Sequence, residues 1–174
     1  MTPVHDMSVG NLAELMAKVT NLSPSYHARQ LRAQIREAAL VSPVRGGRGL
    51  TAPVLFDDAG LARAMVLHVL AKMGLEMPLL RQAAACSANV HSETRKVNVA
   101  EPSDGIELAL ARLRSDTEAK MYLHLSLRED EEGDLSLGGY VASTSTPSEN
   151  AILPPLAMMV LPLHAILKPV LGIA

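Results

Sequence analysis

Apolar residues recur at helical spacing near the start of the chain. The apolar positions of residues 9–19 share one helical face: Leu12, Leu15, Met16 and Val19. This spacing predicts an amphipathic helix. After a break, Ser23 supplies an N-cap and Pro24 occupies the first helical position, which together predict a second helix from Pro24 to about Ala38. Its expected inward positions are Ala28, Leu31 and Ile35.

Two short apolar segments flank a glycine-rich turn after the second predicted helix. Residues 40–44 and 50–56 are the apolar segments, and the turn between them is Arg45-Gly46-Gly47-Arg48-Gly49. Short apolar runs on both sides of a glycine turn are typical of a β-hairpin, so we expect a strand on each side. A third helix is predicted over residues 58–73, after an aspartate cap and before Gly74.

The second half of the chain passes from a weak pattern to a clear one. Residues 76–102 show little periodicity, and we interpret them as a linker with a possible helix over 78–86. The elements predicted beyond the linker are a helix over 104–114 capped by Ser103, strands over 121–127, 135–143 and 156–163, and a final short helix over 164–173. The first two of these strands alternate apolar and polar residues, which predicts a second hairpin.

Together these elements predict an α+β fold in two parts. Residues 1–75 would form an N-terminal module, and residues 103–174 a small α+β domain with a β-hairpin. Residues 1–100 carry eleven Lys or Arg against seven Asp or Glu, a balance of +4, whereas residues 101–174 carry five against eleven, a balance of −6. Such asymmetry indicates a basic binding part and an acidic partner part, although two solvated surfaces could differ in this way by chance.

Composition argues against several classes of protein. Aromatic residues make up only 2% of the chain, too few for the stacking platforms of single-strand binders. The single cysteine, Cys86, excludes an intramolecular disulfide and fits a reducing cytoplasm. Six histidines without metal-binding spacing, and the acidic run 129–132 without spaced calcium ligands, predict no metal site. Four prolines and Lys168 within residues 151–174 argue against a membrane span there.

The order of helix, short turn, helix and glycine-tipped hairpin in residues 9–56 resembles the winged helix-turn-helix DNA-binding fold of MerR-like and phage-type transcriptional regulators. The segments that carry the resemblance are Leu12-Ala13-Glu14-Leu15, Leu22-Ser23-Pro24-Ser25, Leu31-Arg32 and Arg45-Gly46-Gly47-Arg48-Gly49. The resemblance implies a sequence-specific regulator that binds double-stranded DNA. The motif usually has a buried aliphatic residue where this chain has His27. Either the turn is one residue longer, with Ala28 and Leu31 in the core, or His27 is packed inside.

The second predicted helix carries side chains suited to reading DNA. A major groove admits one helix, in which arginine pairs with guanine and glutamine with adenine. The amides at the start of the helix point toward phosphate, and arginines on a glycine hairpin can enter a minor groove. The expected DNA-contacting residues are Ser23, Ser25, Tyr26, Arg29, Gln30, Arg32, Arg45 and Arg48.

Partners and alternatives follow from the same features. Site-specific readout by one small module usually recruits a second copy, and the apolar residues 151–174 are the expected homodimer surface. The C-terminal half is also a candidate surface for a protein partner. One alternative is a non-enzymatic adaptor that uses the helical module to bind a protein, and another is an ordinary domain whose helical pair binds nothing. No nucleophile–base pair, paired carboxylates or cofactor loop is recognisable, so we expect neither enzymatic activity nor a cofactor.

Overall fold

The computed structural model describes residues 7–40, 44–45, 54–95, 100–146 and 155–172. These residues form a mixed α+β fold with two small antiparallel sheets, as the periodicity predicted. In chain order the elements are β1 (Met7–Ser8), α1 (Val9–Thr20), α2 (Pro24–Arg36), β2 (Val44–Arg45), β3 (Val54–Phe56), α3 (Asp58–Lys72), α4 (Met77–Cys86), α5 (Gly105–Ser115), β4 (Tyr122–Glu129), β5 (Leu135–Ala142), β6 (Ala157–Pro162) and α6 (Leu163–Leu171). A single 3₁₀ turn, Ser92–Thr94, precedes α5.

Polar side chains cap the starts of α1, α2, α3 and α5. At the start of α2 the Ser23 hydroxyl accepts a hydrogen bond from the Tyr26 amide at 3.2 Å, which confirms the predicted cap. At the start of α5 the cap is Asp104 and not Ser103, so that prediction was wrong by one residue. The Asp104 carboxylate accepts from the Ile106 amide at 2.9 Å and also from the next amide, which a serine hydroxyl one residue earlier does not reach.

The N-terminal sheet joins three short strands in the order β1-β3-β2. Phe56 pairs with Met7 on one side of β3, and Leu55 pairs with Val44 on the other side. The antiparallel pairing of β2 with β3 agrees with the predicted hairpin. The glycine-rich tip, including Arg48, lies outside the described residues. Arg45 is placed by its backbone pairing with Val54.

The C-terminal sheet has the order β5-β4-β6, with every neighbouring pair antiparallel. Leu125 at the centre of β4 pairs with Gly139 of β5 and Met159 of β6. Strand alternation places Leu123 and Leu125 on the buried face, where each is at most 1% exposed. The predicted second hairpin, third strand and final helix are therefore confirmed.

Helix α3 lies at the centre of the core and is buried on nearly all sides. It packs against α4, α5, α6 and β3, so one continuous cluster of buried apolar side chains includes residues from both halves of the chain. At its first turn the backbone approaches Phe56 so closely that a Cβ on Gly60 would lie 2.8 Å from the Phe56 ring. The division of the chain into domains at residues 75 and 103 stays a prediction.

Part of the predicted linker is attached to β5. The Val141 amide donates a hydrogen bond to the Asn89 carbonyl at 2.8 Å, and the His91 amide donates to the Val141 carbonyl at 3.0 Å. Further along, Glu101 forms an ion pair with Arg112 of α5 at 2.9 Å, and both side chains are less than 15% exposed. No helix in the described ranges is long and apolar enough to span a membrane.

Candidate nucleic-acid interface

Helix α2 separates its buried and exposed residues cleanly around its circumference. The buried positions are His27, Leu31 and Gln34, at the four- and three-residue spacing of one helical face. The opposite, exposed face comprises Ser25, Arg29, Arg32 and Arg36. We call these four residues the arginine face. It brings together three of the predicted DNA-contacting residues, and it adds Arg36, which the sequence analysis left out.

Helix α1 supports α2 from behind. Its buried residues Leu12 and Met16 belong to the same cluster as Leu31, and the two helices pack along their length. Asn21 ends α1 in the left-handed conformation, with φ of 55°, which turns the chain sharply toward Ser23. Since the buried face is fixed by α1 and the core, the arginine face is presented to solvent on a rigid element.

His27 occupies the position where the resemblance implied an aliphatic residue. It is 0% exposed, whereas Ala28 is only half-buried, so the second of the two sequence-based alternatives is confirmed. The His27 Nε2 atom lies 2.6 Å from the Thr20 hydroxyl, which itself donates to the Met16 carbonyl at 2.9 Å. Because the Thr20 hydroxyl donates its only proton to Met16, the proton of this contact belongs to Nε2 of His27, which donates to the hydroxyl oxygen. The Nδ1 atom of the neutral ring is therefore unprotonated.

A second histidine from α3 meets His27 in the core. The centroids of the His68 and His27 rings are 4.9 Å apart, and His68 is 8% exposed. Burial lowers the pKa of His68 to about 4, with smaller contributions from His27 and Lys72. Burial, and then the charge of Lys72, also lowers the pKa of His27. Both rings are therefore neutral at neutral pH.

The charged residues beside this pair face outward around one tyrosine. Lys72, at the last position of α3, has its ammonium 5.2 Å from the centre of the Tyr26 ring. Arg29 has its guanidinium carbon 5.9 Å from the same ring. Tyr26 thus lies at the edge of the arginine face, in contact with two cations from different helices. Sequence reasoning missed Lys72 because only the packing of α3 against α2 brings it there.

The remaining predicted site residues do not belong to this face. Ser23 caps α2, and its hydroxyl lies 3.0 Å from that of Ser25. Gln30 is half-buried on the flank of α2 and lies beside the arginine face instead of within it. Arg45 follows on β2, and Arg48 lies outside the described residues.

In the C-terminal half, a histidine–tyrosine pair and an acidic segment lie in different parts of the sheet. His124 is 2% exposed and stacks on Tyr140 at a centroid distance of 5.0 Å, and its Nε2 donates to the Thr144 carbonyl at 2.7 Å. The acidic run of residues 129–132 is exposed and lies at the end of β4 and the turn into β5. Within the described ranges no group of three or more His, Cys, Asp or Glu is placed to hold a metal ion.

Comparison with known proteins adds no relative. No protein-family model matches the chain, and no curated protein matches it.

Proposed function

We propose that this protein is a sequence-specific regulator that binds double-stranded DNA with α2 in the major groove. The observation that carries the proposal is the arginine face. Three arginines are exposed on one side of the capped helix α2, and the side chains on its opposite side are buried in the core. The helix pair followed by a short antiparallel hairpin is the order that the resemblance to winged helix-turn-helix proteins implies.

The chemistry of the face suits a duplex. Arginine donates two parallel hydrogen bonds to guanine, and each such pair discriminates against a wrong base by about 1–3 kcal/mol. Arginines that do not reach a base can bind phosphate, which releases counterions and makes the affinity depend on salt. Arg29 and Arg32 lie near the middle of the exposed face, so we assign them the central contacts, with Arg36 toward the helix end.

The N-terminal sheet packs against α1, the helix that supports α2, and its hairpin is the second part of the proposed interface. Strand β3 is central and β2 is at the edge of this sheet. Arg45 is the last residue of β2, and Arg48 belongs to the segment that follows it in the sequence. In the proposed complex these two arginines bind the backbone or the minor groove next to the site of α2.

A second copy of the chain completes the proposed regulator. Strand β6 is at one edge of the C-terminal sheet, and Leu156 and Met158 at this edge are 61% and 48% exposed. Exposed apolar side chains on a sheet edge favour association. A two-fold axis there would place two α2 helices at a fixed half-site spacing. Sedimentation at tens of micromolar tests this part: a dimer supports it and a monomer removes it.

The decisive variant removes the centre of the arginine face. We expect Arg29→Ala combined with Arg32→Ala to weaken binding to a random-sequence duplex at least about tenfold near 100 mM salt, because two phosphate or base contacts are lost. The matched control is Arg128→Ala, which removes an exposed arginine from the end of β4 in the acidic hairpin.

Fluorescence anisotropy with a labelled duplex measures both variants. The proposal stands if the double variant loses affinity while Arg128→Ala binds like the parent. The double variant removes two charges and Arg128→Ala one, so a loss of binding free energy in Arg128→Ala about half that of the double variant would mean that binding reflects net charge alone. Equal affinity in all three proteins would remove α2 from the interface. Circular dichroism confirms that the variants are folded.

A further inference from the structure

Three side chains from two helices converge at the edge of the arginine face. Tyr26 and Arg29 come from α2, one turn apart, and Lys72 comes from the end of α3. The Lys72 ammonium and the Arg29 guanidinium approach the same tyrosine ring, at 5.2 Å and 5.9 Å from its centre. Both cations are exposed, and Tyr26 is half-buried against the His68 ring behind it.

These two cations differ from five others in the described part of the chain, which are paired with carboxylates. Five arginines there lie within 4.0 Å of a carboxylate: Arg36, Arg63, Arg81, Arg112 and Arg114. Among the described residues neither Lys72 nor Arg29 has a carboxylate within that distance. Two like charges held beside one ring repel each other, and an anion between them would relieve that repulsion.

We infer that Lys72 and Arg29, both held against the ring of Tyr26, form a two-cation site for one backbone phosphate of the bound duplex. The inference rests on the proposed function, and it extends the interface from α2 to the end of α3. The tyrosine acts as a positioning residue: its ring attracts both cations and so restricts where their charged ends lie. Lys72 is the new binding residue, which the resemblance to helix-turn-helix proteins does not imply.

The position of Lys72 in the fold suits this role. Helix α3 is buried along most of its length, so its last turn is fixed relative to α2 by the core. Gly74 follows with φ of +94° and ends the helix directly after Lys72 and Met73. A phosphate contact from such a rigid point sets the angle at which α2 enters the groove, as phosphate contacts generally set register and orientation.

Salt dependence of duplex binding tests the inference in the full-length protein. The proteins compared are the parent, Lys72→Ala, Lys72→Arg and the control Lys120→Ala, which removes an exposed lysine ahead of β4. A random-sequence duplex is titrated by anisotropy at several salt concentrations. We expect Lys72→Ala to reduce the slope of log affinity against log salt by about one and to weaken binding about five- to tenfold near 100 mM salt. Lys72→Arg should restore the slope.

A double-mutant comparison tests the part played by Tyr26. If Tyr26 acts by holding Lys72, Tyr26→Leu weakens binding in the parent but has a much smaller effect in the Lys72→Ala protein. A full effect of Tyr26→Leu in both proteins would contradict this positioning role.

The outcomes separate this inference from the proposed function. A parent that binds with a steep salt slope, a flatter slope for Lys72→Ala and an unchanged Lys120→Ala support both. If the parent binds and Lys72→Ala behaves like it, the two-cation site is wrong and Lys72 only complements the end of the α3 helix dipole. If the parent does not bind a duplex at low salt, the proposed function fails, and the inference fails with it.

Discussion

Removing one buried histidine changes how the stability of this protein depends on pH. His68 is 8% exposed and its pKa falls from 6.5 to about 4 on folding, chiefly because burial disfavours the imidazolium. Between these two values the unfolded chain binds a proton that the folded chain does not. The free energy of unfolding is therefore not reduced by His68 above pH 6.5, and it decreases as the pH falls from 6.5 toward 4.

The magnitude follows from the two pKa values. One pKa unit corresponds to about 1.4 kcal/mol, so the full effect of His68 is about 3 kcal/mol. Linkage places about 2 kcal/mol of that loss already at pH 5. His27 acts in the same direction, since burial and Lys72 lower its pKa as well.

Urea unfolding at pH 7 and pH 5, followed by far-ultraviolet circular dichroism, measures the effect. The variant is His68→Leu, which keeps an apolar side chain of similar size and cannot titrate. We expect the parent to lose about 2 kcal/mol more than this variant between the two pH values. If the two proteins lose the same stability, folding does not lower the pKa of His68, and our account of the buried histidine pair is wrong.

Three further predictions concern the packing of the core and one ion pair at its border. Leu31→Ala should lower the free energy of unfolding by about 2–5 kcal/mol, because this 0% exposed residue joins α2 to the core, and a urea titration measures it. Gly60→Ala should lower the thermal midpoint by several degrees, since the added Cβ would lie 2.8 Å from Phe56, and an unchanged midpoint would contradict the close approach. Arg112→Met should lower the free energy of unfolding by up to about 3 kcal/mol, because it removes the Arg112 guanidinium from the largely buried Glu101 carboxylate, and the double variant with Glu101→Leu should recover much of that loss.

Most of the elements could be predicted because their signals are local. The apolar residues of α1 and α2 recur at helical spacing, whereas those of β4 and β5 alternate, and caps such as Ser23 act on amides within one turn. Strand β1 was missed because its two residues are too few to show a period, and it is a strand only through its pairing with Phe56. Helix α3 was predicted from its cap and from Gly74, yet its nearly complete burial depends mostly on elements that follow it in the chain.

The candidate site was predictable only where a single helix defines it. Arg29 and Arg32 share a face by spacing alone, so their exposure follows from the burial of the opposite face. The place of His27 could not be decided from the sequence, because its burial depends on the Thr20 hydroxyl and on the ring of His68, 41 positions away. Lys72 was missed for the same reason, since tertiary packing alone brings it to Tyr26.

The measurement that tests the central claim most directly is anisotropy of the unmodified protein with a random-sequence duplex, from about 50 to 300 mM salt. A DNA-binding arginine face predicts affinity near the micromolar range at the lowest salt, with a steep loss as salt rises, because each phosphate contact contributes about one unit of log–log slope. Absence of binding at the lowest salt, or binding that does not change with salt, would contradict the claim that α2 binds DNA.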